Sequence, residues 1–258
     1  MTPGEKISAA ISSAPDGLAI VAFLTAGFPK REKFEEHLTA IGNAADVVEI
    51  GVPFTDPMAD GMTIQRSSRE ALAQGFTLRW LLDTLQRMQR DARLPGAPLV
   101  LMSYLNPLLA FGLEKLAAEA AKSGVCGFIV PDLPYDESAD FRAALADHGI
   151  ALIQMVTPVT RPQRLAELCA ATQGFVYAVT MTGTTGRSAS VPGDVTRYLD
   201  TVRAASKVPV CAGFGIRGRE QVEQLKGHVA GVIVGSALVE VLESGQDAAA
   251  FLRALRPN

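Results

Sequence analysis

Apolar residues gather in eight short runs, at 18–24, 47–51, 98–102, 127–130, 152–156, 175–179, 209–213 and 231–234. These runs are nearly continuous rather than alternating, as expected of parallel strands covered on both faces. Between them, apolar positions recur at helical spacing. Phe34, Leu38 and Ile41 mark one face of a helix at 31–42, and similar patterns predict helices at 64–73, 78–93, 113–122, 140–148, 162–171, 195–206 and 219–228. Thr160 is the expected N-cap of the helix that carries Pro162 in its first turn. Gly235 and Ser236 open a last helical region. Eight strand–helix units of roughly thirty residues favour a closed barrel over an open doubly wound sheet. The expected fold is therefore α/β: a (β/α)8 TIM barrel, one domain over residues 1–258, with a short helix at 3–12 capping its bottom. The first βα turn has no G-x-G-x-x-G, which weighs against a dinucleotide fold.

Length and composition narrow the setting. A chain of 258 residues with 48% apolar content suits one barrel with a large core. The net charge of −3, with the two signs mixed, offers no basic face for nucleic acid and no polybasic run for a membrane surface. Cys126, Cys169 and Cys211 show no C-x-x-C spacing and read as reduced core thiols. No signal peptide and no membrane span is expected, so the reading is a cytoplasmic protein.

The most informative stretch is 47–65. Glu49 lies inside the run Val47-Val48-Glu49-Ile50, and a charge there is unfavourable unless it faces a polar or reactive cavity or pairs with a structural arginine. Gly51 and Pro53 end the run, and the loop beyond carries Asp56 and Asp60. A fixed strand carboxylate and a second one on a mobile loop suit proton-transfer chemistry, although Asp-Pro and Asp-Gly also make ordinary turns.

Active sites of such barrels lie at the C-terminal ends of the strands. Those ends hold Phe23, Glu49, the loop acids Asp56 and Asp60, Tyr104, Asp132, Tyr177, Phe214 and Ser236. His37, His148 and His228 fall in or after helices, so no metal site is expected. No lysine ends a strand, which argues against a Schiff base. Acid–base chemistry by carboxylates in an aromatic pocket remains. Glycines cluster in the last three loops, at Thr182-Gly183-Thr184-Thr185-Gly186, Gly213-Phe214-Gly215 and Gly235-Ser236. Close backbone approach and amides at a helix start there suit a phosphate. Trp80 reads as helix packing, Met155 and Met181 as filler, and Asp132, between two prolines, as a residue that holds its loop.

The run from Glu49 through Gly51, Pro53, Phe54, Asp56, Pro57, Asp60 and Gly61 to Thr63-Ile64-Gln65 resembles the signature of the tryptophan synthase α subunit family. Phe23-Leu24-Thr25-Ala26-Gly27, Asp132-Leu133-Pro134, Gly213-Phe214-Gly215-Ile216 and Gly235-Ser236-Ala237 fit the same family at equivalent places. The resemblance spans essentially the whole chain. It implies retro-aldol cleavage of indole-3-glycerol phosphate to indole and glyceraldehyde 3-phosphate. It also implies an αββα complex whose PLP-dependent β subunit receives the indole through a tunnel, with no cofactor in this chain. By position, Glu49 and Asp60 become the catalytic carboxylates. Phe23, Tyr104, Tyr177, Thr185, Gly186, Phe214, Gly215, Gly235 and Ser236 line the substrate, the last four near its phosphate. Met62 and Thr184 depart from the family's usual Pro and Val, which bears on the loops rather than on the reaction.

That chemistry needs protonation of indole C3, support for the positive charge at the ring nitrogen by Asp60, and one group, Glu49, that is first acid and then base. An apolar setting that raises the Glu49 pKa toward neutrality serves both steps. Two alternatives stand beside this reading. A phosphate-binding barrel isomerase would want Cys, Lys or Asp where Phe23-Leu24-Thr25 ends the first strand. A catalytically poor activating subunit would not need Glu49 and Asp60 intact. The loops at 56–63 and 182–192 are expected to close when a β subunit docks, with 131–135 as a contact.

Overall fold

The computed structural model describes residues 1–180, 191–213 and 215–257. The chain opens with helix α1 (Pro3–Ser12) and continues through β1 (Ala19–Thr25), α2 (Phe34–Gly42), β2 (Val47–Gly51), α3 (Met62–Ala73), α4 (Leu78–Arg90) and β3 (Leu99–Met102). It proceeds through α5 (Leu105–Phe111), α6 (Leu113–Lys122), β4 (Val125–Ile129), α7 (Ala139–Ala146), β5 (Ala151–Val156), α8 (Pro162–Ala171) and β6 (Val176–Val179). It ends with α9 (Gly193–Ala205), β7 (Val210–Gly213), α10 (Arg219–Leu225), β8 (Gly231–Val234), α11 (Ser236–Glu243) and α12 (Ala248–Leu255). All neighbouring strands pair in parallel, and β8 pairs with β1, closing the barrel.

Strand alternation sorts the core into two bodies. Ile20, Ala22 and Leu24 of β1 point outward, where α2, α3 and α11 cover them, while Ala19 and Val21 join Val47, Val100, Ile153, Phe175, Cys211 and Ile233 in the barrel interior. Helix α1 plugs the lower end of that interior with Ile7 and Ile11, both buried. A capping box between Thr2 and Glu5 starts α1, and Ser8 Oγ donates to the Gly174 carbonyl at 2.5 Å. Side chains above Gly4 and Gly127 would press on Ala151 Cβ (3.1 Å) and Ile7 Cδ1 (2.9 Å), so small residues let the plug seat.

Several expected boundaries move for local reasons. Strand β4 begins at Val125, directly after Gly124 takes φ +72° at the end of α6, rather than at Gly127. The stretch around Pro107, between β3 and the helix expected at 113–122, is itself a short helix; Pro107 falls in its first turn, where no helical N–H is lost. Arg31–Lys33 forms a 3-10 turn ahead of α2. Thr160 is not the N-cap of α8. Arg161 holds that position, and the Thr160 hydroxyl instead accepts from the Thr157 N–H at 3.0 Å.

Candidate active site

Glu49 is the middle residue of β2, paired in register with Phe23 on one side and Val100 on the other. Its side chain points into the upper barrel and is 1% exposed, and its Oε2 has no hydrogen-bond partner. Among the described residues no arginine pairs with it, which weakens the structural-pair reading. Burial, with the nearby charge of Asp60 adding to it, pushes the Glu49 carboxyl up to about 8. Burial among Val and Ile neighbours therefore favours the protonated form of this carboxyl.

Asp60 reaches the same chamber from the loop after β2, where it is half-buried, whereas Asp56 is exposed and takes the Thr55 hydroxyl as its partner. Burial raises the Asp60 carboxyl above its ordinary value, and a hydrogen bond from Tyr104 works in the opposite direction. The Tyr104 hydroxyl also accepts from the Ala59 N–H at 2.9 Å, and its ring stacks on Phe54 at 5.3 Å. One phenol thus holds the loop backbone and lies near enough to Asp60 to favour its ionised form. Behind it, Asp132 accepts from the Leu105 N–H at 2.8 Å and fixes the start of α5, whose N-cap is Tyr104. Gln65 Nε2 donates to the Asp60 carbonyl at 2.8 Å. The expected loop-holding role of Asp132 takes this concrete form. The grips of Tyr104 and Gln65 were not legible beforehand, although both residues lie in or beside the motifs singled out.

Aromatic rings close the chamber. Phe23 is buried, and a side chain at Gly51 would strike its ring at 2.5 Å. Tyr177 lies partly buried over Gly213, where a Cβ would meet its hydroxyl at 2.8 Å. Burial and the charges of Glu49 and Asp60 hold the Tyr177 phenol well above its usual value, so it stays a neutral donor. Gly213 therefore makes room for Tyr177 rather than for a ligand. Gly215 takes φ +66°, and Gly235 precedes Ser236 at the start of α11, with open space beside both. Thr185, Gly186 and Phe214, with Met181 and Thr184, lie outside the described residues. Trp80 packs between Phe34 and Phe76, with Arg31 over its face. Among the described residues, no cluster of three His, Cys, Asp or Glu side chains is arranged to hold a metal ion, and no helix is long and apolar enough to cross a membrane.

A closed parallel barrel with a buried strand glutamate of raised pKa and a loop aspartate beside it has the layout of a barrel enzyme. The sequence model of the tryptophan synthase alpha chain family matches residues 10–256, and the chain belongs to that family. The tryptophan synthase alpha chain of Nitratidesulfovibrio vulgaris strain DP4 is 47% identical over 237 residues, covering 92% of this chain and 91% of that one. A solved tryptophan synthase chain from Mycobacterium tuberculosis superposes with TM-score 0.87 at 33% identity, covering 96% of each chain. A chain of the tryptophan synthase a2b2 complex of Pyrococcus furiosus does so with TM-score 0.84 at 37% identity, covering 93% of this chain and 98% of that one. The family's reaction is the lyase cleavage of indole-3-glycerol phosphate, a step of tryptophan biosynthesis.

Proposed function

We propose that residues 1–258 act as one barrel domain in which Glu49 and Asp60 carry out that cleavage between them. The observation that carries the assignment is the Glu49 carboxyl, buried, unpartnered and raised to about 8 beside Asp60. Protonated Glu49 donates to indole C3, and the positive charge that develops at the ring N–H is met by the Asp60 carboxylate. Glu49, now ionised, takes the proton of the hydroxyl on the adjoining side-chain carbon. The carbon–carbon bond breaks, its electrons restore the indole ring, the aldehyde forms, and Glu49 returns to its starting state. The proton balance closes within the pair. Burial favours the neutral form of both carboxyls, and the contribution of Tyr104 opposes it only at Asp60, which suits Glu49 to the acid role and Asp60 to the ionised one. Phe23 and Tyr177 supply the walls of the indole pocket, and the phosphate would lie against Gly215, Gly235 and Ser236 at the N-terminus of α11, with Thr185, Gly186 and Phe214 completing the lining.

A β subunit would dock on the rim at the C-terminal ends of the strands, giving an αββα complex with PLP in the partner and no cofactor here. Supporting this, segments following β2, β3 and β5 carry exposed apolar side chains: Met58 at 80%, Leu109 at 52% and Val159 at 78% exposure. A cleft lined by Asp132, Pro134, Tyr135, Met155 and Arg164 includes most of segment 131–135, which agrees with that segment as a contact. Such a biosynthetic role supports a cytoplasmic location. The test is indole release from indole-3-glycerol phosphate by the purified chain, with and without a β subunit. Turnover alone, raised by the partner, is the expected result, and no turnover in either case overturns the assignment.

A further inference from the structure

Five side chains on the outside of the site form a connected strip that the reaction itself does not use. Arg217, two residues beyond Gly215, makes a two-pronged ion pair with Glu240 of α11, at 2.7 and 2.9 Å. The same Glu240 carboxylate accepts from the Thr63 hydroxyl at the start of α3, at 3.4 Å. One turn further along both helices, Arg66 of α3 pairs with Glu243 of α11 in the same two-pronged way, at 2.9 and 2.6 Å. Glu240 follows Ser236 by four residues, so the two lie one turn apart on the same face of α11. Thr63 follows Asp60 by three residues, and Gln65 holds the Asp60 carbonyl at 2.8 Å. One carboxylate therefore joins the segment at Gly215, the helix that starts at Ser236 and the helix that begins just past Asp60.

An acid one turn from an anion site adds negative potential there, so binding does not explain it. Tying the segments together does. We propose that Glu240 is a positioning residue that couples occupancy of the phosphate site to the placement of Asp60, through Arg217 on one side and Thr63 on the other. This rests on the placing of the phosphate at Gly215, Gly235 and Ser236. The Arg66–Glu243 pair fixes α3 against α11 at its far end. The Thr63 contact is the longest in the strip, so a small shift of the start of α11 strengthens or breaks it. An anion can bias Asp60 only by as much as it favours the joined arrangement. The Arg217 and Glu240 side chains are 45% and 39% exposed, which limits the coupling to the modest range of surface pairs.

The experiment supplies the substrate in two pieces, dephosphorylated indole glycerol and inorganic phosphate, to the parent chain, Glu240→Ala and Thr63→Val. In the parent, phosphate competes with indole-3-glycerol phosphate and accelerates cleavage of indole glycerol. Both variants are expected to bind phosphate with the parent's inhibition constant while the acceleration falls by about fivefold. Thr63→Val leaves the Arg217–Glu240 pair intact, so its loss of acceleration isolates the coupling from any change in the anion site. Acceleration retained in Thr63→Val, or absent in a parent that phosphate inhibits, overturns the coupling and leaves the phosphate placement standing. Phosphate that does not compete in the parent overturns the placement and the coupling together.

Discussion

The two ends of the barrel are built from the same strands, yet they use their inward positions in opposite ways. At the bottom, Ala19, Val21, Val47, Phe175 and Ile233 meet the plug residues Ile7 and Ile11, and among the described residues no fully buried carboxyl joins them. One strand layer higher, Glu49 stands where the pattern would otherwise place another Val, and Phe23 and Tyr177 lie over Gly51 and Gly213. The lower end is filled for stability, while the upper end leaves a carboxyl oxygen without a partner. An unpaired buried polar group destabilises the fold, so the upper end is where a substrate has something to add.

The strongest way to break this contrast is to remove the proton function at the upper end. Glu49→Gln keeps the shape of the side chain, and kcat for indole release is expected to fall by about 10²–10⁴-fold, with the circular dichroism spectrum unchanged. Activity close to the parent's would return Glu49 to the structural class. At the lower end, Ile7→Ala opens a cavity under the plug and is expected to reduce unfolding free energy by about 2–5 kcal/mol, measured by urea titration. The kcat per folded molecule should stay at the parent value, because nothing in the upper layer moves. A large loss of kcat in Ile7→Ala would show that the two ends are not separable.

The same carboxyl sharpens the contrast through pH. Its folded pKa, about 8, lies above the ordinary glutamate value of 4.5. Between those values the folded state binds the proton more tightly than the unfolded state does. Stability from this group is therefore fully present below about 4.5 and is lost as pH rises toward 8. Glu49→Gln has no such loss, so urea midpoints of parent and variant should diverge from pH 5 to pH 8, in the variant's favour by about 2 kcal/mol or more. Parallel midpoints across that range would mean that Glu49 is ionised at neutral pH. A milder effect is expected at the anion end. Gly235→Ala puts a methyl group into the open space before Ser236, and KM should rise about tenfold as a charge-assisted hydrogen bond is lost. Binding of dephosphorylated substrate should stay the same, and equal losses for both ligands would place the phosphate elsewhere.

How much of this was legible depends on the range of the interaction that decides each feature. The eight strands were readable because burial on both faces leaves an apolar run, and Glu49 was readable as the charge inside one. Boundaries slipped where one backbone angle decides them, as at Gly124, or where a proline passes for a loop residue, as at Pro107. Asp56 and Asp60 look alike by spacing, and within the sequence only the family resemblance ranks them. The physical difference is that Asp60 meets Tyr104 while Asp56 faces solvent beside Thr55. The contacts that hold the site join residues 45 positions apart, as in Tyr104 with Ala59, or 27 apart, as in Asp132 with Leu105. Local patterning carries no record of such pairs.

The smallest expected effect tests the finest part of the contrast, the grip of Tyr104 on the loop. Tyr104→Phe keeps the ring that stacks on Phe54 and removes only the hydroxyl. The bond from the Ala59 N–H is lost, and with it the support that the hydroxyl gives to ionised Asp60. A net worth of about 1 kcal/mol for a hydrogen bond of this kind predicts a fall in kcat of about fivefold, with KM nearly constant. The pH profile separates this from mere loosening. The bond from Tyr104 lowers the Asp60 pKa against the effect of burial, so deleting it raises that pKa further. The fraction of enzyme with ionised Asp60 then falls at mildly acidic pH, and the acid limb of kcat/KM must move to higher pH. A variant that loses activity equally at every pH leaves Tyr104 a fastener of the loop backbone through Ala59 alone. One that loses none leaves it a wall of the pocket.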